Sequence, residues 1–197
     1  MIKQFLGIFI FILSILSVGC SYQEKQSAKA GKVVPITVEN FDGYAGDGRT
    51  LKQVFTDVPH RVLAVSEPVV DDLIFLGVQD KIVGISACYS KNFAPYETEY
   101  AKFARLTYGS GYPSKEAVLG LQPDLIVSWG SLFGESALGS VEYWHNKGIH
   151  TYVMTNTVPT RATGRRKVEY IVNDLQQLAK IFRVEEKAQK KIAYLQS

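Results

Sequence analysis

"PSKEAVLGLQPDLIVSW", residues 113–129, decides how this chain folds. Ser114 suits a helix N-cap, and Ala117, Val118 and Leu121 follow at helical spacing, so the first half predicts a short helix. Pro123 forbids its continuation, and "LIVSW" is a short apolar run of the kind found in strands buried on both faces. The same alternation surrounds it. "RVLAVS" (61–66) runs into "EPVVDDLIFLG", with Pro68 in the first helical turn and Gly77 as a stop signal. "KIVGIS" (81–86) is another short strand, and "SVEYWHNKG" leads into "IHTYVM" (149–154). Strands and helices alternating at this length predict an α/β fold, a parallel sheet covered by helices.

Upstream, "VVPITVEN" and "LKQVFTDV" flank the Gly- and Asp-rich "FDGYAGDGRT", which predicts an N-terminal β-ribbon. Downstream of Gly164 the alternation stops. Val168, Ile171, Val172, Leu175, Leu178, Ala179 and Phe182 form one apolar stripe, and an interruption is expected near "FRVEE". Beyond it Ala188, Ile192 and Leu195 recur at spacings of four and three. No stop signal precedes Ser197, so this last helix is expected to be exposed, with no partner after it, in a truncated chain.

The N-terminus has the layout of an export signal. Lys3 supplies a positive charge, and Phe5 to Val18 hold only Gly, Ser and hydrophobic residues, fewer than the roughly 20 a spanning helix needs. The polar "SYQEKQSAKAGK" follows. "SVGC" (17–20) resembles a bacterial lipobox, with Ser17 where Leu is favoured; the resemblance implies cleavage before Cys20 and its acylation, plain secretion being the alternative. Cys88 would then have no disulfide partner and would serve as a small apolar residue. The expected organisation is a lipoprotein signal peptide over 1–19, a flexible linker over 20–32, an α/β lobe over 33–163 and long helices over 164–197 leading to an absent second lobe. The expected location is the extracytoplasmic face of the cell membrane, held there through the lipid anchor.

Lys and Arg total 22 against 19 acids, a net charge of +3, which is too weak to imply nucleic acid. "GRRK" (164–167), the one basic cluster, reads as a solvated loop. Ligands of open parallel sheets sit at the carboxyl ends of the strands, which directs attention to "SEP" (66–68), "SACYS" (86–90), "YGSGYPS" (108–114), "WGSLFGE" (129–135) and "TNT" (155–157). These loops are rich in hydroxyls, amides, aromatics and glycines, and Glu67 and Glu135 are their carboxylates. They suit recognition better than acid–base chemistry, which needs two titratable groups at one substrate atom. Nucleophile-elbow and phosphate-loop patterns are absent, and His60, His145 and His150 are too scattered for a metal site. No catalytic residue, metal or cofactor is therefore expected. The candidate ligand contacts are Ser66, Glu67, Tyr89, Tyr108, Trp129, Phe133 and Asn156. The tyrosines, Tyr112 among them, could hold ferric iron or simply pack; Trp129 and Phe133 could stack on a flat ligand or pack at the rim. Glu116 lies in a helical first turn, where the dipole stabilises an acid.

In order along the chain, "PHRVLAVSEPVVDDLIFLGVQDKIVGIS", "YPSKEAVLGLQPDLIVSW" and "WHNKGIHTYVM" followed by "YIVNDLQQLAKIFRVEEKAQKKI" resemble the bacterial binding proteins that deliver iron–siderophore complexes, haem or cobalamin to ABC importers. The resemblance covers residues 33–197. It implies two α/β lobes joined by a rigid helix, a ligand in the shallow cleft between them, a ligand contact at Trp129, and docking of Glu116 onto a basic residue of the permease. This sequence matches only the N-terminal lobe and the start of the connector. The expected function is a lipid-anchored solute-binding component of an ABC importer that binds a ferric siderophore and is not an enzyme. The alternatives are a cobalamin or haem binding protein, haem calling for an axial ligand such as Met154, an exported lipoprotein hydrolase or reductase, and a non-binding remnant.

Overall fold

A computed structural model of the chain describes residues 34–43, 48–90, 95–107, 111–158 and 167–196. The leader, Cys20, the linker, Tyr108 and the side chain of Leu195 lie outside the described residues.

Strands β1 (Ile36–Phe41) and β2 (Thr50–Phe55) form an antiparallel hairpin, in register from Ile36 opposite Phe55 to Phe41 opposite Thr50. Strands β3 (Val62–Val65), β4 (Ile82–Ser86), β5 (Leu125–Trp129) and β6 (His150–Met154) form a parallel sheet in the order β4-β3-β5-β6. Every residue of β3 is buried, as expected of a strand covered on both faces.

Successive side chains in a strand point to opposite faces, and here each face meets its own helices. Val62, Ala64, Leu125, Val127, Tyr152 and Met154 join one core cluster with α1 (Glu67–Leu76), α5 (Val168–Phe182) and α6 (Glu185–Gln196). Leu63, Val65, Ile126 and Val153 join the other, with Val118 of α3 (Lys115–Gly120) and Val141 and Trp144 of α4 (Val141–His145). A further single turn, α2 (Glu97–Tyr100), contributes the buried Tyr100. Each large apolar side chain buried this way contributes about 1.5–3 kcal/mol. Helix boundaries follow local chemistry. The Oγ atoms of Ser114 and Ser140 accept the N–H groups of Ala117 and Tyr143, both at 3.1 Å, capping α3 and α4. Gly77, at φ 72°, ends α1 with its N–H on the carbonyl of Ile74.

The hairpin closes the β6 edge through side chains. Asn40 Nδ2 donates to the Val153 carbonyl at 2.9 Å while Val153 N–H donates to Asn40 Oδ1 at 2.6 Å. Gln53 Nε2 donates to the Thr151 carbonyl at 2.7 Å, and Thr151 N–H returns to Gln53 Oε1 at 3.2 Å. Each amide presents a donor and an acceptor as a strand residue would, so the backbone of this edge is satisfied without a fifth strand.

Two expectations for the C-terminal helices need correction. Val168 and Ile171 belong to the apolar stripe by spacing, but they are 66% and 38% exposed, and Ile171 lines an open cavity instead of the core. The last helix is less exposed than expected. Ala188 and Ile192, each 1% exposed, join the core cluster formed by α1 and α5. The interruption falls where the sequence places it, at Arg183, whose φ of 57° breaks the helix as Val184 N–H bonds back to the Ala179 carbonyl at 2.9 Å. No helix among the described residues is long and apolar enough to cross a membrane.

The amino ends of the central strands are tied down. Asp124 accepts His60 N–H at 2.7 Å and Arg61 N–H at 2.9 Å, and the Arg61 guanidinium donates to the carbonyls of Leu121 at 2.6 Å and Gln122 at 2.9 Å.

Candidate ligand-binding site

At the opposite edge, β5 and β6 each end in a 3₁₀ turn, Gly130–Leu132 and Thr155–Thr157. The turns are joined, since Thr157 Oγ1 accepts Gly130 N–H at 2.8 Å and donates to the Met154 carbonyl at 2.7 Å. A cavity of about 430 Å³ opens above them. Trp129, Ser131, Met154, Asn156 and Thr157 line it from the strand ends, Pro68, Asp71 and Asp72 from α1, and Ile171 and Asp174 from α5. Trp129 is half-buried, its ring available as an apolar wall.

Asp174 organises the β6 side. It is fully buried, and its carboxylate accepts the Tyr152 hydroxyl at 2.9 Å and the N–H groups of Thr155 and Asn156 at 3.0 and 3.3 Å. Burial raises its pKa and these hydrogen bonds oppose the rise. Asp71 accepts the Tyr100 hydroxyl at 2.9 Å, and burial raises its pKa too. Asp72 is pushed up to about 7, first by burial and then by the neighbouring charges of Asp174 and Asp71.

Of the expected contacts, Trp129 and Asn156 meet in this cavity. Phe133 does not. The turn at 130–132 carries its ring into the core against α4, where it is 4% exposed. Ser66 is also buried, at 2% exposure, with a φ of 93° that favours glycine and a hydroxyl without a partner among the described residues. Glu67 accepts the N–H of Ser90 and so ties down the loop after β4. Tyr89 and Tyr112, 49% and 45% exposed, are hydrogen-bonded to one another outside the cavity lining. Glu116 stands fully exposed in the first turn of α3, its carboxylate held below the usual range by its own backbone N–H and the Ser114 hydroxyl. Cys88 is buried, its thiol pushed up to about 12 by desolvation. His145 and His150 are half-buried, the former bonded to Thr151 Oγ1 at 2.9 Å and the latter against the Phe55 ring.

The sequence reading searched the loops alone, and Asp71, Asp72 and Asp174 reach the cavity from helices instead. A signal for two of them exists. Asp72 lies three residues after Val69 and four before Leu76, and Asp174 lies three after Ile171 and four before Leu178, so each interrupts an apolar stripe. Among the described residues no group of three or more His, Cys, Asp or Glu side chains is arranged to hold a metal ion. The stretch from 159 to 166, with Arg161, Arg165 and Arg166, lies outside the described residues.

A parallel lobe with a cavity at its strand ends fits a binding module, and residues 62–197 match the family described as periplasmic binding protein. The chain belongs to the periplasmic binding protein family. The family consists of substrate-binding proteins of ABC transporters. Among solved structures, a periplasmic binding protein from Veillonella parvula DSM 2008 is 25% identical, with a TM-score of 0.72 over 82% of this chain and 50% of that one. An ABC-type Fe3+-hydroxamate transport system from Saccharomonospora viridis DSM 43017 is 19% identical, with a TM-score of 0.61 over 82% of this chain and 53% of that one. The siderophore binding protein BauB, bound to a complex of two acinetobactin molecules and ferric iron, is 22% identical, with a TM-score of 0.58 over 83% of this chain and 51% of that one. The last two likenesses speak to fold alone. The chain spans about half the length of the structures it matches. No curated protein matches it.

Proposed function

We propose that the chain is the solute-binding component of an ABC importer for an iron complex, a ferric siderophore, and that it works by capture and handover without chemistry. The observation that carries this reading is the cavity at the carboxyl ends of β5 and β6, walled by Trp129, in a lobe of the periplasmic binding protein family. An aromatic wall with Asn156 and Thr157 beside it holds a bulky complex by stacking and a few hydrogen bonds. The proposal extends to acylation of Cys20, which would keep the lobe at the extracytoplasmic face of the membrane, and to docking of the exposed Glu116 on the permease. Isothermal titration of the full chain with a panel of ferric siderophores, haem and cobalamin tests it. Saturable binding of a ferric siderophore is expected; binding of none of the panel would refute the reading. Glu116→Lys should leave that affinity unchanged and abolish uptake through the cognate importer, whereas undiminished uptake would remove the docking role.

Haem is the second reading, favoured by Met154, which is among the residues lining the cavity and carries a thioether of the kind that ligates haem iron. A Soret shift on haem addition that is lost in Met154→Leu would support it over a siderophore.

A further inference from the structure

Resting on that reading of the cavity, we propose that Asp72 is its specificity-determining group and selects complexes that present a cationic group, such as an ammonium, beside the Trp129 ring over complexes that present peripheral carboxylates.

Asp72 lines the cavity, yet its carboxyl has no hydrogen bond or ion pair among the described residues. The donors around it are committed elsewhere. The Tyr152 hydroxyl and the N–H groups of Thr155 and Asn156 serve Asp174, and the Tyr100 hydroxyl serves Asp71. A carboxyl drawn out of water without a donor carries an unreturned desolvation cost, and among the described residues the charges that act on it are two further carboxyls, Asp174 and Asp71. The described lining contains no Lys, Arg or His. A ligand ammonium would supply the missing partner, and a ligand carboxylate would add a fourth acid to three. Trp129 favours the same choice, because the face of an indole attracts a cation. Burial and the neighbouring acids already make the Asp72 carboxyl retain a proton unusually well, and an ammonium would take the place that proton holds.

The test uses two iron(III) complexes that differ at one atom group: that of a linear trihydroxamate with a free primary amine, and that of its N-acetyl derivative. An iron(III) tricarboxylate complex is the third probe. In calorimetric titrations of the full chain at about pH 7.5, the free-amine complex should bind roughly tenfold more tightly than the acetylated one, and the tricarboxylate most weakly. Asp72→Asn, which keeps the size of the side chain, should bind the two hydroxamate complexes alike. Equal affinity of the wild-type chain for both would overturn the proposal while leaving the siderophore reading intact, and this comparison does not depend on any variant folding. Preference persisting in Asp72→Asn would overturn it as well. Failure of all three complexes to bind would overturn this proposal, whereas the siderophore reading falls only if the wider panel of ferric siderophores fails to bind as well.

Discussion

The two ends of one sheet are built to different standards. At the amino end, Asp124 accepts two backbone N–H groups and Arg61 clamps two carbonyls, so the groups that start β3 and β5 are paired. At the carboxyl end, the buried hydroxyls of Ser66 and Ser128 and the carboxyl of Asp72 lack partners among the described residues, and Ser66 holds a φ of 93°. Buried groups left unsatisfied cost stability, and strained residues persist only where the surrounding structure holds them. The amino end therefore secures the lobe, and the carboxyl end gives up stability where a ligand would meet it.

Removing the amino-end clamp should produce the largest effect. Asp124→Ala leaves two N–H groups without their charged acceptor and should lose about 2–3 kcal/mol in urea unfolding, with ligand affinity unchanged. Full stability in that variant, or an altered affinity, would erase the contrast. The next effect has the opposite sign. The unfolded chain releases the Asp72 proton near the ordinary 3.8, while the folded chain holds it to about 7. Stability should therefore fall as pH rises through that window, and the penalty is complete above it. Asp71 and Asp174, also raised by burial, add in the same direction. Asp72→Asn should accordingly gain on the order of 1–3 kcal/mol at pH 8 and nothing near pH 3, after allowance for the partial exposure of the group. A wild-type chain whose stability rises from pH 4 to pH 7 would contradict this. The smallest effect is at Ser66. Glycine accepts its φ without strain, and Ser66→Gly should gain about 1 kcal/mol in thermal unfolding. A loss there would mean that the Ser66 hydroxyl has a partner that matters.

The same contrast explains what the sequence made legible. Strands β3, β5 and β6 are short apolar runs followed or preceded by capped helices, so local pattern identifies them, and the parallel sheet follows. The seat of α6 was not legible, because its partner α1 lies over a hundred residues upstream and the spacing of Ala188 and Ile192 says only that some partner exists. Phe133 misled for a related reason. Whether a loop aromatic faces cleft or core is decided by one 3₁₀ turn, and composition does not report its direction. Trp129 and Asn156 line the cavity because they sit where strand ends must place them. Asp72 and Asp174 were missed because only loops were searched, although each breaks an apolar helical stripe. Asn40 and Gln53 act as strand surrogates across 113 and 98 residues of sequence, a pairing no local pattern encodes.

Backbone hydrogen exchange on the full chain, with and without a saturating ferric complex, would locate the binding site. Added protection is expected at 129–131, at 155–157 and in the first turn of α1, and none at His60, Arg61 or Asp124. Protection confined to the Tyr89 and Tyr112 region, or appearing at the amino end, would contradict a binding site above β5 and β6.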